Sequence, residues 1–327
     1  MRYPASEKLE IIRTVEQSFL GVRRTVEQIG IPRSTFYYWY DRYVSEGFDG
    51  LEDKKPHPGP AWNQVPEEIA EQLVQFALAE PDLSPRELAV RFTEQQRYYL
   101  SESTVYRVLK RHDLITAPAF IVLKAADRFA HPTTAVNQLW QTDFTYLKVM
   151  GWGWFYLSTV LDDFSRFIIA WRLCRTMSAR DVSATLQEAL QATGLDHVGV
   201  QHRPRLLSDN GPCYVSSELQ SWLAENGVPH THGQPYHPMT QGKIERWHRT
   251  LKDRILLNHY YLPEELERQI DTFVHHYNTG RYHESLNNLT PHDVFTGQGT
   301  AILQERRRIK EKTMQLRKRL HFRRRAA

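Results

Sequence analysis

Three carboxylates in this chain stand in surroundings that call for an explanation. Asp143 lies within Leu139-Trp140-Gln141-Thr142-Asp143-Phe144-Thr145-Tyr146, Asp209 within Ser208-Asp209-Asn210-Gly211-Pro212, and Glu245 within Lys243-Ile244-Glu245-Arg246-Trp247-His248. Gathered together, such acids hold hard divalent cations, and a pair of these ions about 3.5–4 Å apart activates the attacking oxygen and stabilises the leaving one in phosphodiester chemistry. The first acid sits in an apolar, aromatic and β-branched run that predicts a strand, where Asp is disfavoured unless it has a task. The second closes another such run at an Asn-Gly turn, and the third lies on a helical stretch. Singly, each has an ordinary explanation in turn chemistry or solvated helix surface.

The surroundings of the third acid add charge to the pattern. Gln241, Glu245, His248, Arg249 and Lys252 recur at helical spacing and share one polar, mostly basic face. With Lys243, these cations are candidate contacts to DNA phosphates, the alternative being a solvated face with ordinary ion pairs. The stretch from Gly233 to Gly242 reads as a mobile loop, with His237 better suited to positioning substrate than to ligating metal. Asp162 and Asp163 stand between two strand-like runs, so capping a turn or pairing Arg166 suits them better than catalysis. The two cysteines, Cys174 and Cys213, form no Cys-x-x-Cys pair and no zinc-finger spacing with histidine, which argues against a zinc module or a disulfide framework.

Thirty-five residues separate Asp209 from Glu245. That spacing resembles the D,D(35)E signature of retroviral integrases and of the bacterial insertion-sequence transposases that share their catalytic core. Further segments carry the likeness: Asp162-Asp163-Phe164-Ser165-Arg166 matches a D-x-x-S-R turn, Tyr236 to Glu245 matches the approach to the third acid, and Tyr277-Asn278, Arg281, His283 and Leu286 match a closing Y-N-x-x-R-x-H-x-x-L pattern. The resemblance implies that Asp143, Asp209 and Glu245 are catalytic and hold two Mg²⁺ ions, with Mn²⁺ a possible substitute. It implies that water and then a freed 3′-hydroxyl act as nucleophiles. It implies contact of Gln241, Arg249 and Lys252 with a DNA end, and two or more protomers, a homodimer or tetramer, on double-stranded DNA.

Such residues need elements to carry them. The runs Leu139–Val149, Trp154–Leu161 and Phe167–Leu173 predict an antiparallel meander; a helix over Ser178–Ala192, a strand over Pro204–Ser208, a helix over Ser216–Asn226, a strand over Pro229–Thr231 and the Glu245 helix follow. This is the ribonuclease-H-like order. Trp140 and Phe144 fall on the strand face opposite Asp143 and read as core.

Two smaller helical units precede it. In residues 1–50, Ser6 caps a first helix, a second runs near Val22–Ile29, and a Gly30-containing turn leads to a third with Arg33, Ser34 and Tyr38 turned outward, which describes a helix-turn-helix. After a Pro-rich linker (51–65), residues 66–115 repeat the plan, with helices at Glu67–Ala79, Ser84–Gln95 and Ser101–Arg111 and with Arg107, Lys110 and Arg111 as phosphate contacts. A connector (116–134), the core (135–260), its helical extension (261–300) and a basic helix with tail (301–327) complete the plan. The fold class is thus multidomain: tandem all-α helix-turn-helix domains, an α/β ribonuclease-H-like core, and a basic C-terminal helix.

The formal charge of +4 over 327 residues is unevenly placed. Residues 305–327 carry eleven cations, Arg323, Arg324 and Arg325 among them, against two acids, so the remainder is acidic. A basic segment on an acidic body is an electrostatic handle for nucleic acid. Ile302, Ile309, Leu316 and Leu320 predict the buried side of a helix there, ending in a loose Arg cluster. No apolar run reaches the length of a membrane span and the start lacks a signal-peptide core, so a cytoplasmic, nucleoid-associated protein with no membrane partner is expected. Two other functions compete: a DNA-binding regulator without catalysis, and a nuclease of ribonuclease H type.

Overall fold

A computed structural model describes residues 3–53, 61–115, 133–197, 203–232 and 242–326. The Pro-rich segment 54–60, connector residues 116–132, and both His237 and Gln241 lie outside the described residues. The chain forms two compact units, Met1–Gln64 and Val65–Ala327.

The first unit is three helices, α1 (Ala5–Glu16), α2 (Val22–Ile29) and α3 (Arg33–Glu46), closed by a 3₁₀ turn at Gly47–Leu51. Gly30 ends α2 in the left-handed region at φ 79°, open to Gly at no steric cost, and Pro32 then starts α3. Ile12, Val26, Phe36, Trp39 and Leu51 form its core. Lys8 is buried, and its ammonium donates to the Leu51 carbonyl at 2.9 Å and to Asp53 at 2.7 Å, tying α1 to the end of the unit. Ser6 does not cap α1: the helix starts one residue earlier, at Ala5, because extended Pro4 already stops it.

The second unit opens with α4 (Glu67–Ala79), α5 (Pro85–Gln96) and α6 (Glu102–Arg111) around Leu73, Leu88, Phe92, Val105 and Leu109. Ser84 and Ser101 are the expected caps; Ser84 and Glu87 complete a reciprocal capping box.

A five-stranded sheet follows, in the order β3-β2-β1-β4-β5. Strands β1 (Leu139–Val149), β2 (Gly153–Asp162) and β3 (Ile168–Cys174) form the antiparallel meander; β4 (Arg205–Ser208) runs parallel to β1, and β5 (His230–His232) parallel to β4. Helices α7 (Ala179–Thr193) and α8 (Ser217–Glu225) cover one face, on Trp140, Val160 and Leu206. Helices α9 (Gly242–Ile255) and α10 (Pro263–Thr279) cover the other, where Trp247, Leu251 and Ile270 meet Leu147, Leu157 and Leu161. This is the ribonuclease-H-like element order, with Trp140 and Phe144 in the core opposite Asp143.

A short helix α11 (Pro291–Phe295) leads into α12 (Gly299–Ala326), 28 residues long and so about 42 Å at 1.5 Å per residue. Here the sequence reading needs correction. Leu316 is exposed, the buried line runs through Ile309, Thr313 and Arg317, and the helix continues through the terminal arginines instead of loosening. The partners explain it: Arg317 donates to the Tyr98 hydroxyl (2.9 Å) and the Tyr99 carbonyl (2.8 Å), and the Tyr99 N–H donates to Thr313 (3.0 Å). A helix laid against tyrosines buries long-stemmed and hydroxyl side chains as readily as leucines.

Candidate active site

The sheet topology sets the position of the first two acids. β1 and β4 pair as Leu139↔Arg205, Trp140↔Leu206 and Gln141↔Leu207. Carried two residues further, the same offset brings Asp209 into line with Asp143, past the last paired residues and past the end of β4 at Ser208. Both carboxylates act electrostatically on Cys213 and Tyr214, raising their pKa values after the larger effect of burial. The Tyr214 ring packs 6.2 Å from Phe144 and is fully enclosed.

The third acid arrives on α9, whose inner face is fixed by Ile244, Trp247 and Leu251 in the core. One turn beyond Glu245, His248 points at β1, and its Nδ1 lies 3.4 Å from Asp143 Oδ2. The other Asp143 oxygen accepts the N–H of Phe144 at 2.8 Å, and Asp209 Oδ1 accepts the N–H of Gly211 at 2.9 Å. Glu245 is exposed on the helix. In donor chemistry the three carboxylates suit a hard divalent ion. Among the described residues, however, no group of three or more His, Cys, Asp or Glu side chains is gathered closely enough to hold one. The Asp143 and Asp209 oxygens are engaged by His248 and by backbone N–H groups.

Asp163 is the anchor of this arrangement. It accepts from Thr133 Oγ1 (2.6 Å), Gln141 Nε2 (2.7 Å) and Lys243 Nζ (2.7 Å), while Gln141 Oε1 accepts the Ile244 N–H (3.2 Å). The start of α9 is thereby tied to β1 and to the β2–β3 turn. Lys243, expected as a DNA contact, is instead turned inward in this ion pair, its side chain only 14% exposed. Asp162 caps the turn: it accepts from the Ser165 N–H and hydroxyl and from the Asn137 N–H, while burial raises its pKa above the usual carboxylate value. Arg166 closes the turn at φ 64°.

Asn278 has a role that sequence alone did not reveal. Its side-chain amide donates to the Ile168 carbonyl (3.0 Å) and accepts the Ile168 N–H (2.9 Å), completing β3 where the β2–β3 register shifts. An Asn inside a mainly apolar helical face, beside Tyr277, was the available signal.

The remaining candidate contacts fall in several places. Arg249 is exposed on α9, and Lys252 Nζ sits 4.0 Å over the Tyr146 ring. Arg107, Lys110 and Arg111 are exposed on α6. In the first unit, Arg33, Ser34 and Tyr38 are exposed at the start of α3, with the Arg42 guanidinium 5.5 Å from the Tyr38 ring. Arg323 and Arg324 are exposed on the last turns of α12; the side chain of Arg325 lies outside the described residues.

Two family models described as an integrase core domain match residues 133–238 and 226–291. A helix-turn-helix domain model matches residues 7–61, and a homeodomain-like one residues 35–109. The transposase for insertion sequence element IS904 of Lactococcus lactis is 32% identical over 166 residues, 49% of this chain and 62% of that protein. The Gag-Pol polyprotein of Rous sarcoma virus subgroup C is 37% identical over 120 residues, 36% of this chain and 7% of the polyprotein. The chain therefore spans about three fifths of the former relative and a small part of the latter. Among solved structures, the HTLV-2 integrase catalytic core domain in complex with magnesium aligns at 21% identity and TM-score 0.38, over 49% of this chain and 97% of that one. A simian T-cell lymphotropic virus intasome in complex with PP2A regulatory subunit B56 gamma aligns at 18% identity and TM-score 0.44, over 68% of this chain and 74% of that one.

Proposed function

We propose that this chain, which belongs with the integrase-core transposases of insertion sequences, binds the terminal inverted repeats of a mobile element, cuts to expose a 3′-hydroxyl and joins it to target DNA. Asp143, Asp209 and Glu245 are the residues that would hold its metal, Mg²⁺ or in its place Mn²⁺. A bound pair of such ions would supply activation of the attacking oxygen and stabilisation of the leaving one.

The observation that carries the reading is the shared β1–β4 offset of Asp143 and Asp209, together with the contact from His248 of the Glu245 helix to Asp143. Around that region the chain's own groups have defined tasks. Asp163 and Gln141 fix the start of α9. Arg249 and Lys252 present charge to a DNA backbone along the same helix, and Arg33, Arg107, Lys110 and Arg111 do so from the helix-turn-helix units, where Ser34 and Tyr38 offer hydroxyls. Two protomers, or four, would hold both ends of the element.

The test is a strand-transfer assay with labelled fragments from the ends of the element. Asp143→Asn, Asp209→Asn and Glu245→Gln should each abolish cutting and joining while DNA binding persists. No cut or joined product from the parent chain, with DNA binding intact, would point to a non-catalytic regulator, and cut but never joined product would point to a nuclease.

A further inference from the structure

The outer end of the β1–β2 hairpin carries an uncovered aromatic group. Tyr146 is 57% exposed and Trp154 52%; their rings meet edge to face with centroids 5.5 Å apart. Trp152, at the hairpin tip, is 50% exposed. Large aromatic rings bury well over a hundred square ångströms each when covered, so leaving three in water on one hairpin is costly without a partner.

The partner's chemistry follows from what flanks the rings. Lys252 Nζ stands 4.0 Å from the Tyr146 centroid and Lys148 Nζ 5.8 Å from that of Trp154. Arg175 lies 5.2 Å from the Trp152 ring. Lysine is depleted from the cores of protein–protein interfaces, whereas rings interleaved with cations are how proteins hold unpaired nucleic acid: bases stack on the aromatic faces and phosphates meet the charges. Lys252 belongs to α9, the helix of Glu245, and Tyr146 lies three residues along β1 from Asp143. At about 3.3 Å per residue its backbone lies roughly 10 Å along the strand from that acid, and its side chain, three positions on, leaves the opposite face of the sheet.

Resting on the transposase reading, we propose that Tyr146 and Trp154 form a stacking platform for unpaired bases of a DNA strand whose phosphates meet Lys148 and Lys252. The platform would hold the frayed end of a strand a few nucleotides from the reacting phosphodiester, so these residues position substrate and do not take part in bond breaking.

The experiment uses the full chain with two probes: a single-stranded oligonucleotide containing 2-aminopurine, and a blunt duplex of the same sequence. Tyr146→Ala and Trp154→Ala should each weaken the single strand by about tenfold and abolish the 2-aminopurine quenching that reports stacking. Duplex affinity should stay within about twofold. Tyr146→Phe and Trp154→Phe, which keep a ring, should bind like the parent. Equal losses on both probes, no loss on either, or a concentration-dependent self-association that the Ala variants dissolve would each overturn the platform. A parent chain that binds the duplex but not the single strand sinks the platform alone; one that binds neither sinks the transposase reading with it.

Discussion

His248 Nδ1 lies 3.4 Å from Asp143 Oδ2, so the helix that carries the third acid touches the strand that carries the first. A side chain that orients a metal-binding carboxylate commonly matters tenfold to a hundredfold for metal affinity or activity. His248→Ala should therefore raise the Mg²⁺ concentration needed for half-maximal strand transfer by about that factor, with duplex binding unchanged. A magnesium titration of the joining reaction checks it, and an unaltered titration would remove His248 from the site.

Lys243 and Asp163 form a pair with side chains 14% and 7% exposed. Removing one partner of a buried pair leaves the other's charge uncompensated, a loss of about 3 kcal/mol or more. Lys243→Ala should lower the unfolding free energy by about that amount. Had Lys243 served mainly as a DNA contact, the same substitution would weaken DNA binding and leave denaturant unfolding unchanged.

The cations of α12 divide into two kinds. Arg317 is buried against Tyr98 and Tyr99, so Arg317→Ala should cost about 2 kcal/mol in thermal or denaturant unfolding. Arg323 and Arg324 are exposed. Replacing both with Ala should leave stability unchanged and reduce the slope of log affinity against log salt by up to about 2, one phosphate contact each. An unchanged slope would mean that these arginines do not reach DNA.

His283 is a stability group with a definite pH window. Burial, followed by the charges of Arg166, Arg281, Arg86 and Arg246, pushes its pKa down from 6.5 to about 3. It is neutral in the folded chain, while the unfolded chain takes up a proton below pH 6.5. Its contribution is complete above that value and is lost as the pH falls towards 3. Between pH 7 and pH 4.5 the parent should lose roughly 2 kcal/mol more than His283→Gln, measured by urea unfolding at each pH.

Much of this architecture could be read from local chemistry. Ser84 and Ser101 marked helix starts because a cap depends on three or four neighbouring residues, and the β1 run was long and alternating enough to fix both its span and the face of Asp143. What escaped depended on distant partners. Lys243 looked like one more cation on a basic helix until Asp163, eighty positions away in sequence, was seen beside it. Leu316 seemed to belong to a buried stripe, but Tyr98 and Tyr99 select Arg317 and Thr313 instead. Asn278 completes a strand 110 residues upstream, a task no helical periodicity encodes. The strand of Asp143 and the helix of Glu245 were legible as elements, whereas the orientation of the Asp143 and Asp209 oxygens depends on His248 and on the N–H groups of Phe144 and Gly211.

The hydrogen-bonded seam between β1 and β4 closes at Gln141 and Leu207, while β1 continues beside β2 as far as Val149. The sheet thus opens into a fork, and Asp143 and Asp209 stand on its two prongs. Replacing Asn210-Gly211-Pro212 with strand-forming residues would let the seam zip two rungs further. Asp209 would then be locked into the pleat, and the crevice would become ordinary sheet.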